Sequence, residues 1–170
     1  MHMHRSRSSL LPALLLTLGS HALAQDNPVY VDESPLARQI LEQADDVAAT
    51  NPAEAVRLLQ ELVDASGHQV VPTADGPEPI WFRSVRERVE NRLRRDPVLL
   101  RTMRETYGER ADELLEAGRL TEVARRFPLT PAGLQAMSRL GTEAVEAGAL
   151  HRGRTQLERV LRHPDLDLRT

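Results

Sequence analysis

The fold class is decided by the stretch LQAMSRLGTEAVEAGALHRGRTQLERVLRHP at residues 134–164. Its apolar and small residues recur at steps of three and four, which is the spacing of one face of an α-helix. Gly148 divides the stretch and predicts a tight turn, so the helices on its two sides pack as an antiparallel hairpin. Gly141 and Gly153 predict points where the two helices approach closely. Three leucines are predicted to fill the seam between them: Leu140, Leu150 and Leu157.

The spacing in residues 134–164 resembles that of a tetratricopeptide repeat. It has a Leu-Gly pair at 140–141, glycines at 148 and 153, and a proline at 164, close to the positions of that repeat. Residues 36–63 match more loosely, with Ala55, Leu59 and Leu62 at the offsets of a second helix. Any antiparallel helical hairpin produces similar spacing, so an unrelated hairpin stays the alternative for both segments.

Capping residues followed by proline predict where most of the helices begin. The pairs are Ser34-Pro35, Asn51-Pro52, Asp96-Pro97 and Thr130-Pro131. Gly67 and Gly108 are predicted to end the helices that begin at residues 52 and 97. Since no stretch alternates β-branched with polar residues, we predict an all-α fold of antiparallel helical hairpins, stacked as a short tetratricopeptide-like solenoid.

The N-terminal residues have the three parts of a secretory signal. Arg5 and Arg7 give a positive start, Leu10–Leu18 is apolar, and Ala22 and Ala24 fit a small-residue cleavage site. A membrane anchor is the alternative, but a spanning helix needs about 20 apolar residues and this stretch is interrupted by proline. We therefore predict export, with cleavage near Ala24, to the periplasm or the outer cell envelope.

These signals divide the chain into seven predicted segments. In order they are a signal peptide at 1–24, an extended lead-in at 25–34, a helical hairpin at 35–67, a Pro/Gly-rich loop at 68–80, connecting short helices at 81–128, a tetratricopeptide-like hairpin at 129–164, and a tail at 165–170.

The composition excludes several classes of chemistry. The 170 residues contain no cysteine, which excludes thiol nucleophiles and Cys-ligated metal or iron–sulfur sites. All 22 basic residues are arginine, so Schiff-base chemistry and a P-loop lysine are excluded too. Aromatic residues make up only 3%, too few to provide stacking platforms for nucleic-acid bases. We therefore predict no nucleic-acid partner.

No motif in the chain predicts a catalytic, cofactor or metal site. Beyond the signal peptide, His68, His151 and His163 fall in a loop, near a helix start and at a helix end. They lack the i, i+4 spacing of a zinc-binding helix, so we predict surface or helix-end positions for them. No serine lies in a G-x-S-x-G turn. The sequence therefore predicts a protein that is not an enzyme.

Several short motifs together resemble a known bacterial family. They are VYVDESP at 29–35, NPAEA at 51–55, VRE at 85–87, RETY at 104–107 and ARRFPLTPAG at 124–133. Their order is similar to the N-terminal tetratricopeptide-like region of exported proteins that carry a quinoprotein-like (PQQ-binding-like, BamB-like) β-propeller. The resemblance implies a non-catalytic interaction module, whose partner is another protein or the propeller of the same protein.

The propeller itself is absent from these residues, and no cofactor residue carries over. The resemblance therefore leaves a second interpretation, an accessory segment of a PQQ-dependent or other envelope enzyme whose active site lies beyond residue 170.

Two candidate surfaces follow from the sequence. In tetratricopeptide-like repeats the first helix of each pair lines the binding groove, which here comprises Gln39, Gln43, Asp46, Gln135, Ser138 and Thr142. A basic strip follows the Trp81-Phe82 pair and comprises Arg83, Arg86, Arg88, Arg92, Arg94 and Arg95. We predict the Trp81-Phe82 pair to be core, with a docking anchor for a following domain as the alternative. We favour docking of this strip on the acidic first hairpin, or a solvated face. Contact with anionic lipid or phosphate is the alternative.

Overall fold

Seven helices and two short strands form the part of the chain that the computed structural model describes, residues 34–73 and 82–166. The all-α prediction is confirmed, with one β-hairpin as a local exception. In chain order the elements are α1 Pro35–Ala48, α2 Pro52–Ser66, β1 Val70–Pro72, β2 Phe82–Ser84, α3 Val85–Arg95, α4 Pro97–Glu116, α5 Leu120–Arg126, α6 Pro131–Glu146 and α7 Leu150–Leu161.

Hydrogen bonds from capping side chains explain where the helices start. All four predicted cap–proline pairs begin a helix, and each cap accepts a backbone N–H of the first turn, which has no partner within the helix. Their oxygens lie 3.0–3.2 Å from the donors, as for Ser34 Oγ with the Ala37 N–H at 3.1 Å. Ser84 caps α3 in the same way, accepting from the Glu87 N–H at 3.2 Å.

A small antiparallel hairpin interrupts the helices. In β1 and β2, Val70 pairs with Ser84, Val71 with Arg83 and Pro72 with Phe82. Strand β1 lies inside the segment predicted as a loop, and β2 lies inside the segment predicted as connecting short helices. The interpretation of Trp81-Phe82 as core is wrong for Phe82, whose side chain is exposed. Trp81, the predicted signal peptide and residues 167–170 lie outside the described residues.

Helix α4 is longer than the sequence indicated. We expected Gly108 to end it, but the helix continues to Glu116, and the chain turns at Gly118 with φ +71°. Leu114 and Leu115, which lie beyond the predicted helix end at Gly108, therefore belong to α4. The helix continues because it has buried residues both before and after Gly108.

Two hydrophobic clusters share α4. The first lies among α1–α4 and β1 and is built around Val56, Leu59, Leu62, Val85, Leu99 and Met103. The second lies among α4–α7 and is built around Ala111, Leu114, Val123, Phe127, Ala136 and Met137. Tyr107 packs against both clusters and stacks on Phe127, with ring centroids 5.8 Å apart. The described residues all belong to one compact unit.

Close contact of α6 with α7 confirms the predicted role of the glycines. Gly148 has φ +75°, a left-handed conformation that favours glycine in the turn. A Cβ on Gly141 would lie 2.8 Å from Leu157 Cδ2, and one on Gly153 would lie 2.6 Å from Val145 Cγ2. The prediction that Leu150 fills the seam is wrong, because this side chain is 65% exposed.

Candidate interaction surface on the last helical hairpin

One side of α7 presents three leucines to solvent. Leu150, Leu157 and Leu161 are 65%, 36% and 58% exposed. Steps of seven and four residues place them on the same side of the helix. A helix at the surface of a folded domain usually keeps such a row against its core. In α7 the only fully buried residue is Gly153, so the row stays uncovered by the described chain.

Helix α6 extends this row across the seam. Val145 is 42% exposed and contacts Gly153, while Leu157 contacts Gly141 of α6. These two contacts bring the exposed side of α7 beside the exposed side of α6. We define the apolar stripe by its four residues: Val145, Leu150, Leu157 and Leu161.

Three of the predicted groove residues border the apolar stripe. Gln135, Ser138 and Thr142 precede Val145 at steps of three and four, which places all four on one side of α6. Gln135 and Thr142 are exposed and Ser138 is half-buried. This side therefore combines hydrogen-bonding groups with the apolar stripe.

The other predicted groove residues lie on a different part of the molecule. Gln39, Gln43 and Asp46 are exposed on α1, which packs against α2 and β1. Leu36, one turn before Gln39, is 64% exposed. The structure does not bring these residues into one groove with those of α6.

The arginines of the basic strip lie on β2 and α3 and make different contacts with the rest of the chain. Arg92 bonds Asp45 of α1 at 2.6 Å and Asp96 at 3.0 Å, and the bond to Asp45 raises the pKa of its guanidinium. Arg94 pairs with the buried Glu90 at 2.9 Å.

The remaining members of the strip differ in exposure. Arg86 donates to the carbonyl of Arg125, and burial lowers its pKa. Arg83 pairs with Glu87 at 3.4 Å and is exposed, as is Arg95. Arg88 is half-buried. Arg92 is thus the member of the strip that contacts the acidic first hairpin, through Asp45, and the strip does not form a continuous row of solvated cations.

A polar contact holds α7 to the rest of the molecule. Arg159 donates to Glu90 of α3 at 3.2 Å and to the carbonyl of Ala124 at 3.1 Å. Arg159 lies two residues beyond Leu157, and residues two apart on a helix point in different directions. The contact therefore fixes α7 while leaving its leucine row uncovered.

A buried histidine holds the segment after α7 in place by a hydrogen bond. The His163 ring accepts the Asp165 N–H at Nδ1, over 3.1 Å, and its side chain is almost fully buried. Arg104 of α4 bonds the Asp165 carboxylate at 2.8 Å and the Leu129 carbonyl at 2.9 Å. Burial lowers the pKa of His163, with Arg104 adding to the effect and Asp165 opposing it. The expected helix-end position is correct, but the residue is not on the surface.

Within residues 34–73 and 82–166, no three histidine or carboxylate side chains are grouped so that they could hold a metal ion. Each helix of these residues is too short or too polar to cross a bilayer. No family model, curated protein or solved structure matches the chain.

Proposed function

We propose that the protein is an exported, non-catalytic helical-repeat module that binds another protein through the apolar stripe. The uncovered stripe is the observation that carries this proposal. Scattered exposed apolar residues are ordinary, whereas a contiguous row of large ones marks a surface that another molecule covers.

The shape of the surface indicates how a partner binds. In stacked helical repeats each hairpin buries its exposed side against the next helix. A partner helix that lies along the α6–α7 seam would cover the stripe in the same way, with its own apolar residues as anchors. Gln135, Ser138 and Thr142 at the border would then select the partner by hydrogen bonds. Gln39 and Gln43 on α1 form a second, polar contact surface.

The short motifs support a further part of the proposal. Their order supports a tetratricopeptide-like solenoid that forms the N-terminal part of a larger exported protein with a β-propeller. In that arrangement the propeller of the same protein is one candidate for the covering partner.

A matched pair of substitutions tests the stripe. Leu150 and Leu36 are almost equally exposed and both lie in the first turn of a helix, where a carboxylate is tolerated. We expect Leu150→Glu to lower partner retention at least about tenfold, which corresponds to 1.4 kcal/mol. We expect Leu36→Glu to retain the partner as the wild type does.

The measurement is cross-linking and affinity purification of the tagged protein from the cell envelope of its source, with mass spectrometry. The intact mass of the native species shows in the same material whether a propeller follows. Equal retention by Leu150→Glu and wild type, with unchanged circular dichroism, would contradict the role of the stripe.

A further inference from the structure

We infer that the protein covering the apolar stripe is a second copy of this chain, paired with the first through antiparallel α7 helices. The inference rests on the proposed function of the stripe as a protein-binding surface and names its occupant. It is carried by the order of apolar and charged residues along α7.

The exposed side of α7 has a pattern that is palindromic to within one residue. Leu150, Arg154, Glu158 and Leu161 follow one another at steps of four, four and three, so they share one side of the helix. Leucines stand at both ends, and one positive and one negative residue stand between them. The midpoint of the two leucines lies between Thr155 and Gln156, and the midpoint of the charged pair is Gln156 itself.

Such a pattern complements itself when two copies run in opposite directions. A two-fold axis at Gln156 brings Leu150 within one residue of the position opposite Leu161 of the second copy. It also places Arg154 opposite Glu158 of the second copy, and the reverse pair forms on the other side of the axis. Leu157 then lies against the aliphatic part of the opposing Arg154 side chain.

The charged residues of α7 favour a second copy of the chain over a partner helix whose charged residues all have the same sign. Arg154 and Glu158 pair with each other at 2.7 Å on an exposed surface. An acidic partner helix would be repelled by Glu158, and a basic one by Arg154. A second copy supplies both signs at the required positions, and opposite charges across an interface fix its register.

Helix α6 supplies the rest of the contact area. Specific dimers bury roughly 1,200–2,000 Å² in total, and one twelve-residue helix from each copy provides only part of it. Val145, with the polar row at Ser138 and Thr142, lies beside the leucine row and is covered when the two hairpins pack face to face.

Charge reversal tests the pairing directly. In Arg154→Glu homodimers two carboxylates face each other on both sides of the axis, and in Glu158→Arg homodimers two guanidinium groups do. We expect sedimentation velocity to show a wild-type dimer at about 10–100 μM, with self-association weakened at least about tenfold in either variant. The double variant Arg154→Glu/Glu158→Arg restores opposite charges and the dimer.

Mixing the two single variants gives a sharper result. The mixed pair brings acidic residues at 154 and 158 of one chain against basic residues at the same positions of the other. We therefore expect a heterodimer to form where neither variant dimerises alone. A merely structural role of Arg154 and Glu158 within their own helix does not produce this recovery.

The outcomes separate this inference from the proposed function. A wild type that stays monomeric at all these concentrations overturns the pairing, as does a dimer that both single reversals leave intact. If the monomer still loses an envelope partner on Leu150→Glu and keeps it on Leu36→Glu, the stripe binds a different protein and the proposed function stands. Circular dichroism of each variant reports whether it is folded.

Discussion

His163 makes the stability of the molecule depend on pH. Its pKa in the folded protein is lowered below the ordinary 6.5 by burial, so the unfolded chain binds a proton more readily than the folded one. The contribution of His163 to the free energy of unfolding is therefore fully present above about pH 6.5 and is lost as the pH falls through 6.5 to the folded-state pKa. Protonation also removes the acceptor of the Asp165 N–H.

Replacing this histidine should remove part of the pH dependence. We expect His163→Gln to lower the free energy of unfolding at pH 7.5, because the packed ring is lost. The further decrease of this free energy between pH 7.5 and pH 5 should be smaller than in the wild type. Urea unfolding at the two pH values measures both effects. His151→Gln is the control for replacing a histidine by glutamine, since this histidine is exposed at the start of α7. An equal change in the free energy of unfolding between the two pH values in the wild type, His163→Gln and His151→Gln would contradict the assignment of this pH dependence to His163.

Two glycines in helices should respond to alanine in opposite directions. At Gly153 an added Cβ lies 2.6 Å from Val145 Cγ2 and 3.1 Å from the Gly141 carbonyl oxygen, so α7 must shift outward. We expect Gly153→Ala to lower the free energy of unfolding by about 1–3 kcal/mol. At Gly108 nothing lies within 4 Å of an added Cβ. Gly108→Ala should raise stability by about 0.5–1 kcal/mol.

Thermal and urea unfolding of the two variants measure these changes. A neutral Gly153→Ala would show that the α6–α7 seam relaxes without cost. A destabilising Gly108→Ala would show that this position requires glycine for a reason other than space.

At the scale of elements, the sequence predicted those features of the fold that depend on contacts between residues close together in the chain. A capping side chain and a proline act within one turn of helix. The residues next to Ser34 and Thr130 are therefore enough to predict where the helices start. The turn at Gly148 and the close approach at Gly153 were predictable for the same reason. The start of α3 also had a local signal, Ser84 followed three residues later by Glu87, which the helical period alone did not reveal.

Other elements depend on contacts between distant residues, and these were not predictable from local patterns. Strand β1 pairs with β2 at separations of ten to fourteen residues, and each strand is too short to show alternation. Gly108 resembles a helix end, but burial of Met103 and Ala111 on its two sides outweighs its low propensity. The spacing of Leu150 and Leu157 is typical of core residues. Only the packing of α7 on α6 shows which side of α7 stays exposed to solvent.

At the scale of the molecule, α4 connects the two hydrophobic clusters. Leu99 and Met103 belong to the first cluster, and Ala111 and Leu114 to the second. Ion pairs add connections between distant elements, such as Arg126 of α5 with Asp64 of α2 at 2.7 Å. Partly exposed pairs of this kind contribute little individually, so we expect the continuous helix to be the main coupling between the clusters.

Because α4 couples the two clusters, we expect the molecule to unfold in one cooperative transition. A break in α4 should divide this transition into two steps. Proline at 108 removes the backbone N–H of that residue and clashes with the preceding turn, at a cost of about 3 kcal/mol. We expect Gly108→Pro to unfold in two steps, with hydrogen exchange faster in one cluster than in the other, while Gly108→Ala keeps a single step. The two observations to compare are the urea transition followed by circular dichroism and the exchange rates of amides in α2 and α6. A single transition in Gly108→Pro, with equal loss of protection in both helices, would mean that contacts between the clusters, rather than α4, make the molecule fold as one unit.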